Sequence, residues 1–325
     1  MFYKLIKWMK KFNSKAKTTI NSGFGNNATN YGGRFINPSG NANVSLNGIP
    51  FLNKISLFHT LLNLSRAHFI FLVFAFYFLI NLLFAGIYYQ IGVENLRGIS
   101  SINEFDKFGQ AFFFSIQTFT TVGYGHINPS GFLASFVAAI EALFGLLSFA
   151  IATGLFYGRF SKPQAFIKFS ENALIAPFKN GKALMFRICP YKNTNLTDVE
   201  VKITLAYQLE ENGEKINKFF PLNLDIEKIN ALTLSWTLVH EITEESPLFG
   251  LTADDYKTNS GEIIILAKSF EDMFCTTVFK RSSYIFNDVI YGAKFLPMFS
   301  RNADNSKTIL HLDKLNYFEK VALKA

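Results

Sequence analysis

No Asp or Glu occurs before residue 94 of this 325-residue chain. Over the same stretch lie Lys4, Lys7, Lys10, Lys11, Lys15, Lys17, Arg34, Lys54 and Arg66. Charge of a single sign usually marks a nucleic-acid surface or the inner side of a membrane protein. The first is the weaker reading, because the cations flank hydrophobic runs and form no compact basic patch. Cysteine is nearly absent, with Cys189 and Cys275 alone, so no disulfide framework or thiolate metal site is available. The five histidines (59, 68, 126, 240 and 311) have no metal-ligand spacing. Gly23-Phe24-Gly25 lacks the third glycine, the preceding strand and the acidic residue of a dinucleotide site. No apolar run carries periodic arginines, which excludes a voltage sensor. The Lys-rich start has no hydrophobic stretch directly after it, so it is not read as a cleaved signal. No internal repeat is present.

Two long runs are nearly free of charge. Ala67–Tyr89 holds no Asp, Glu, Lys or Arg, and Phe132–Phe156 holds only Glu141. Each is long enough to cross a hydrocarbon core of about 30 Å as a helix. Arg159, Lys162 and Lys168 follow the second run, whereas residues 90–131 carry a mixture of signs. The distribution of Lys and Arg places both termini in the cytoplasm of a multi-pass protein of the cell membrane.

Between the two runs, Ala111–Thr120 is apolar but too short to span, and it leads into Thr121-Val122-Gly123-Tyr124-Gly125. A short helix followed by a glycine-bearing loop fits a re-entrant segment, since irregular backbone at membrane depth must be buried in protein or line a watery path. Two glycines permit backbone angles that turn successive carbonyls toward one axis. Such a row of oxygens can replace the hydration shell of a cation. One chain supplies one wall of the cage, so several chains are required.

The flanks differ in character. Residues 21–48 are rich in Asn and Gly and read as extended or poorly ordered, with short strands at Arg34-Phe35-Ile36 and Val44-Ser45-Leu46. Residues 51–65 have helical apolar spacing with a polar face, suited to the membrane–water interface. After Lys162-Pro163 the pattern becomes β-type: Ala183–Ile188, Val199–Tyr207, Ala231–Val239, Glu262–Ala267 and Thr276–Phe279, separated by turns such as Asn212-Gly213-Glu214. That spacing suggests a β-sandwich.

With these segments in order, the chain resembles the inward-rectifier potassium channels, and among them the prokaryotic branch. Thr121–Gly125 is similar to the loop that is the standard example of a potassium selectivity filter. Arg34–Asn37, Ile140–Leu143, Arg159–Pro163, Leu184–Arg187, Ser235–His240, Ser246–Leu248 and Arg281–Tyr284 resemble family segments in family order. The resemblance implies two transmembrane helices and a re-entrant pore loop, joined to an all-β cytoplasmic immunoglobulin-like sandwich. It divides the chain into an amino-terminal segment (1–50), an interfacial slide helix (51–65), a pore domain (66–162) and a cytoplasmic domain (163–325). Within the pore domain it expects an outer helix at 67–89, a pore helix at 108–120, the filter at 121–125 and an inner helix at 132–158. It implies a homotetramer conducting potassium, with no catalytic residue and no cofactor beyond the permeant ion. Potassium would be held by Thr121, Val122, Gly123 and Tyr124, with Gly125 closing the filter.

Departures and further residues refine that picture. Gln117 stands where animal members carry Glu, and the residues after the filter supply no Arg partner, so a Gln–backbone hydrogen bond is expected to brace the loop. Glu141 is read as filter support, either by hydrogen bonding behind the filter or in protonated form. Phe149 occupies the cavity position that is acidic in strong rectifiers, which predicts weak polyamine block. Phe149 and Tyr157, eight residues apart, fall on one helical face and are candidate constriction residues. Gly145 and Gly154 are candidate bending points, with helix packing as an equal explanation. Arg66, Arg159 and Lys162 fall at headgroup level and suit anionic lipids, phosphoinositides included. Lipid and other copies of the chain are the expected partners, and nucleic acid is not. The alternatives are a membrane-tethered β-domain whose pore no longer conducts, and a poorly selective cation channel.

Overall fold

The computed structural model describes residues 16–18, 34–54, 56–100, 102–211 and 214–323. Most of the Lys-rich start, the first half of the Asn/Gly-rich run and the Asn212-Gly213 turn lie outside these. The chain divides into two compact units, Leu46–Lys162 and a second one made of 1–45 with 163–325.

The Leu46–Lys162 unit is helical. The interfacial stretch forms α1 (Phe51–Lys54) and α2 (Leu57–Asn63), with Ile55 outside the described residues. The expected continuous helix is thus interrupted at Ser56, whose hydroxyl accepts from the N–H of His59 and caps α2. Ser65 caps α3 (Arg66–Ile91) in the same way, through the N–H of His68. Gly92, at φ +106°, ends it. The shorter α4 runs Glu104–Phe119, starting four residues and ending one residue before the bounds the resemblance implies. Asn103 caps it by accepting from the N–H of Phe105, and Glu104 and Asp106 complement the helix dipole. The last helix of the unit, α5 (Phe132–Phe160), runs unbroken through both Gly145 and Gly154. The two long helices, α3 and α5, are long and apolar enough to span a membrane.

Aromatic side chains fill the space between α3 and α4. Tyr88 packs edge-on to Phe114 at 5.1 Å, Phe78 to Phe112 at 5.5 Å and Tyr89 to Phe108 at 5.9 Å. Rings in this arrangement contribute about 0.5–1.5 kcal/mol each beyond the area they bury. They hold α4 firmly without the disulfide that two distant cysteines could not provide.

The second unit is a β-sandwich. One sheet has the order β11 (Thr276–Ile285), β10 (Gly261–Glu271), β6 (Leu196–Glu211) and β7 (Glu214–Pro221), with β8 (Lys228–Ala231) also on β6. The other has the order β12 (Val289–Tyr291), β4 (Ala173–Phe178), β5 (Gly181–Pro190) and β3 (Ile167–Phe169), with β9 (Trp236–Glu241) also on β5. Ile175, Leu184, Phe186, Leu205, Ile263, Ile265 and Tyr284 belong to one buried cluster drawn from both sheets. The expected strand at Ala231–Val239 is split between the end of β8 and β9: Leu232 still donates its N–H to the Leu196 carbonyl of β6 at 2.9 Å, and the chain then bends at 233–234 before Trp236 joins β5.

The 34–43 segment folds with this unit but makes no ladder of its own. Ile36 and Ala42 form one isolated bridge, and no strand forms at 44–46. A side chain takes the place of a neighbouring strand: the buried carboxylate of Glu262 accepts from the N–H groups of Phe35 and Ile36. Arg34 adds a bond to Ser283 Oγ at 2.9 Å and an ion pair to Asp288 at 3.2 Å. Glu262→Ala removes the carboxylate that accepts from these two buried N–H groups, at about 1–3 kcal/mol each. The amides of Phe35 and Ile36 are expected to exchange hydrogen at least tenfold faster, by about the 1.4 kcal/mol that corresponds to a factor of ten. Exchange measured by mass spectrometry checks this, and unchanged protection would contradict it.

His240 and Ser246, from two of the family-like segments, also meet. Nδ1 of His240 lies 2.7 Å from the carbonyl of Asn223, and Nε2 lies 2.8 Å from Ser246 Oγ. The carbonyl can only accept, so Nδ1 carries the proton and Ser246 donates to Nε2. Burial holds the imidazole below its ordinary pKa and keeps it neutral. These bonds tie the 223 and 246 loops to β9. Arg187 is buried too, with its guanidinium 4.6 Å over the Phe295 ring, a contact that offsets part of its desolvation.

Candidate functional site

The loop at 121–125 is built as the capping turn of α4. Thr121 donates its N–H to the carbonyl of Thr118 at 3.1 Å, and Val122 donates to that of Gln117 at 3.0 Å. This pair of bonds defines a Schellman motif, in which the residue after the cap is left-handed and usually Gly. Here it is Thr121, at φ +58°. A β-branched residue in that region is strained. Gly123 (φ +55°) and Gly125 (φ +81°) extend the left-handed pattern. Residues 121, 123 and 125 therefore alternate with Val122 and Tyr124 along the loop. The bracing by Gln117 runs through its main-chain carbonyl, which also accepts from Gly123 at 3.3 Å.

Behind the loop the chain is pinned by main-chain contacts. The strands β1 (Leu96–Arg97) and β2 (Asn128–Pro129) pair antiparallel, and Ser130 donates to the carbonyl of Asn95 at 2.7 Å. Gly98, at φ +98°, lies so close to His126 that a Cβ would sit 2.1 Å from its carbonyl oxygen. Asn128 Nδ2 reaches the Gly125 carbonyl at 3.4 Å.

Gly145 of α5 packs directly on the end of α4. A Cβ there would lie 1.9 Å from the Phe119 carbonyl oxygen, whereas Gly154 has open space around it. Of the two glycines, Gly145 is thus a close-approach residue. A cavity of about 480 Å³ opens beside this contact, lined by Tyr77, Phe119, Thr121, Gly145, Leu146 and Phe149, among others. Phe149 and Tyr157 are both 74% exposed on the single chain, and Tyr124 is 80% exposed. Glu141, by contrast, is fully buried, with Tyr88 Oη donating to its carboxyl at 2.6 Å and Ser115 Oγ bonded to the other oxygen.

Of the three cations expected at headgroup level, Arg159 is engaged within the protein. Its guanidinium donates to the carbonyls of Leu61 (2.9 Å), Leu62 (3.3 Å) and Leu64 (2.8 Å) and lies 4.6 Å over the Phe69 ring. It thereby satisfies carbonyls that the end of α2 leaves without partners. Lys162 bonds to Asn63 Oδ1. Arg66 has no partner among the described residues and is exposed. Sequence reasoning missed this latch because nothing in local spacing links residue 159 to residue 61. It also missed Asn81, Ser115 and Tyr88, which read as ordinary members of apolar helices.

Two family models match the chain: an ion-channel model at residues 70–162, and the inward rectifier potassium channel C-terminal domain at residues 167–324. Among curated proteins, the inward rectifier potassium channel Kirbac3.1 of Paramagnetospirillum magnetotacticum is 31% identical over 85% of this chain and 92% of its own length. The ATP-sensitive inward rectifier potassium channel 12 of Gallus gallus is 27% identical over 82% of this chain and 67% of its own. Inward rectifier potassium channel 18 of Homo sapiens is 26% identical over 82% and 66%.

Proposed function

The chain belongs to the inward rectifier potassium channel family, and on that premise we propose that four copies assemble around one axis and conduct potassium passively between their 121–125 loops. It is a membrane protein with two transmembrane helices, and an ion channel rather than an enzyme. The observation that carries the proposal is the loop itself: a capping turn that continues through three left-handed residues at the end of a helix too short to span. The carbonyls of Thr121, Val122, Gly123 and Tyr124 replace the hydration shell of potassium, and Gly125 closes the row. The exposure of Val122, Tyr124, Phe149 and Tyr157 on one chain supports neighbours that cover or face them.

The gate lies on the inner helix. Four copies of Phe149 and Tyr157 narrow the path with apolar rings, and such rings close a pore by expelling water. Phe149 offers no charge to attract a polyamine. Gly154 is the site for bending, since its surroundings leave room. Gln117 and Glu141 support the filter from behind. The β-domain is the second element of gating. Both termini face the cytoplasm of the cell membrane, a reading supported by the Lys and Arg that cluster before the first span and after the second. Anionic lipid acts at Arg66 first, because Arg159 and Lys162 already bond to residues 61–64. It modulates the channel without being required for activation.

Purified protein in liposomes tests the proposal. Barium-sensitive uptake of potassium or rubidium that sodium does not support is the expected result. Equal uptake of both cations would overturn selectivity. No uptake across a range of lipids and pH would leave the tethered, non-conducting β-domain as the better reading.

A further inference from the structure

Glu141 sits in the middle of a chain of side chains drawn from three helices. Tyr88 Oη of α3 donates to Oε2 at 2.6 Å. Oε1 is hydrogen-bonded to Ser115 Oγ of α4, and the same Oγ lies 3.0 Å from Asn81 Oδ1 of α3. Asn81 Nδ2 in turn donates to the carbonyl of Tyr77 at 2.7 Å. Asn81, Ser115 and Glu141 are all fully buried.

Two oxygen–oxygen contacts meet at Ser115 Oγ, and each needs a proton between its oxygens. The serine brings one. Turning the Asn81 amide round does not supply the other, because its oxygen would then face the Tyr77 carbonyl at 2.7 Å, acceptor against acceptor. The Tyr88 proton lies on the far carboxyl oxygen. The missing proton belongs to Glu141 Oε1. We propose that Glu141 is a neutral carboxylic acid and that Tyr88, Glu141, Ser115 and Asn81 form a one-way hydrogen-bonded strut that positions α4 beneath the filter. The proposal rests on reading Thr121–Gly125 as that filter.

The surrounding charges are too far away to hold a carboxylate instead. On α3, Arg66 and His68 stand at the helix start, with Arg66 fifteen residues from Asn81, about 22 Å along the axis. On α4, Glu104, Asp106 and Lys107 lie in the first turns, and Lys107 is eight residues from Ser115, about 12 Å. On α5, Arg159 is eighteen residues from Glu141, about 27 Å. Past the end of α3, Glu94 and Arg97 flank the buried Leu96 but are themselves exposed, and among the described residues the phenol of Tyr88 is the titratable group bonded to the carboxyl. An unpaired carboxylate in that setting is costly, whereas an acid that both donates and accepts is satisfied.

The strut acts where it matters for the loop. Ser115 is two residues before Gln117, whose carbonyl receives the N–H groups of Val122 and Gly123. Four residues after Glu141 on α5 comes Gly145, seated on Phe119. The acid and the glycine therefore share one face of the helix and hold the same end of α4. Loss of the proton leaves Ser115 with one hydrogen for two acceptors, so either Glu141 Oε1 or Asn81 Oδ1 loses its partner and the strut breaks on one side of Ser115.

Infrared spectroscopy and ion uptake on the same liposome-reconstituted full chain test this. The wild type should show a carboxylic-acid C=O band that shifts in D2O and is absent from Glu141→Gln. Its potassium uptake should fall as pH is raised. Glu141→Leu cannot donate or accept, and should lose about tenfold or more of the uptake. Glu141→Gln, whose amide donates to Ser115 and whose carbonyl accepts from Tyr88, should restore selective uptake with no alkaline decline. Two results would overturn the strut: no Glu141-dependent acid band where the wild type conducts, or a Gln variant as impaired as Leu. Failure of the channel reading looks different, with the band present and wild-type uptake absent or unselective.

Discussion

Gly145→Ala is expected to abolish potassium uptake, even though the substitution adds a single methyl group. That methyl would lie 1.9 Å from the Phe119 carbonyl oxygen, 2.8 Å from its carbon and 3.0 Å from its Cα. These are backbone atoms and cannot rotate away. α5 and α4 must separate, and protein interiors transmit such a displacement because they are close-packed. Phe119 ends α4, and the strained Thr121 follows two residues later. The wedge therefore acts directly on the first residue of the loop. Overpacking costs about 1–3 kcal/mol per copy before any repacking between copies is counted. Liposome flux and size-exclusion chromatography together check the outcome, with wild-type flux the result that would refute it. Gly154→Ala is the control. It meets nothing within 4 Å on the single chain, so it should leave assembly intact and alter only opening.

Gly123→Ala should remove discrimination between potassium and sodium. Gly123 stands at φ +55° with no atom crowding its missing Cβ. Space is not the obstacle. The left-handed conformation itself costs an L-residue about 1–2 kcal/mol, and the loop already carries that cost at Thr121. A second strained residue two positions further on favours rotation of the peptide, which turns a carbonyl away from the axis. The row of oxygens then loses a rung in every copy. Potassium and sodium uptake measured on the same preparation should converge, with selectivity reduced by about tenfold for each 1.4 kcal/mol of lost preference. Retained selectivity would mean that the turn at Gly123 is held by its surroundings and not by the residue's conformational freedom.

These two glycines show how legible the chain was. Gly123 could be read directly, since a Gly-Tyr-Gly run in a short apolar setting already implies unusual backbone angles. Gly145 could not. In the sequence it is one small residue in an apolar helix, equally a bending point or a packing contact, and the choice depends on Phe119, twenty-six residues away. Arg159 is a similar case. Its position after an apolar run suggested a lipid headgroup, yet its guanidinium satisfies carbonyls at the end of α2. The 34–36 segment has strand-like composition, but it is held by the Glu262 side chain and forms only an isolated bridge.

What the sequence determined by itself is whatever depends on short range or on composition. The two spans follow from unbroken apolar runs, the change to β structure from residue alternation after Pro163, and the unusual backbone of the loop from the glycines among five adjacent residues. The tertiary structure decided everything that requires distant residues to meet: the Schellman turn that strains Thr121, the glycine wedge between α4 and α5, and the partners of Glu141. The physical reason is that a buried polar group takes its protonation and its role from the atoms around it. For Glu141 those atoms come from residues 81, 88 and 115, on two other helices, and no local pattern places them together.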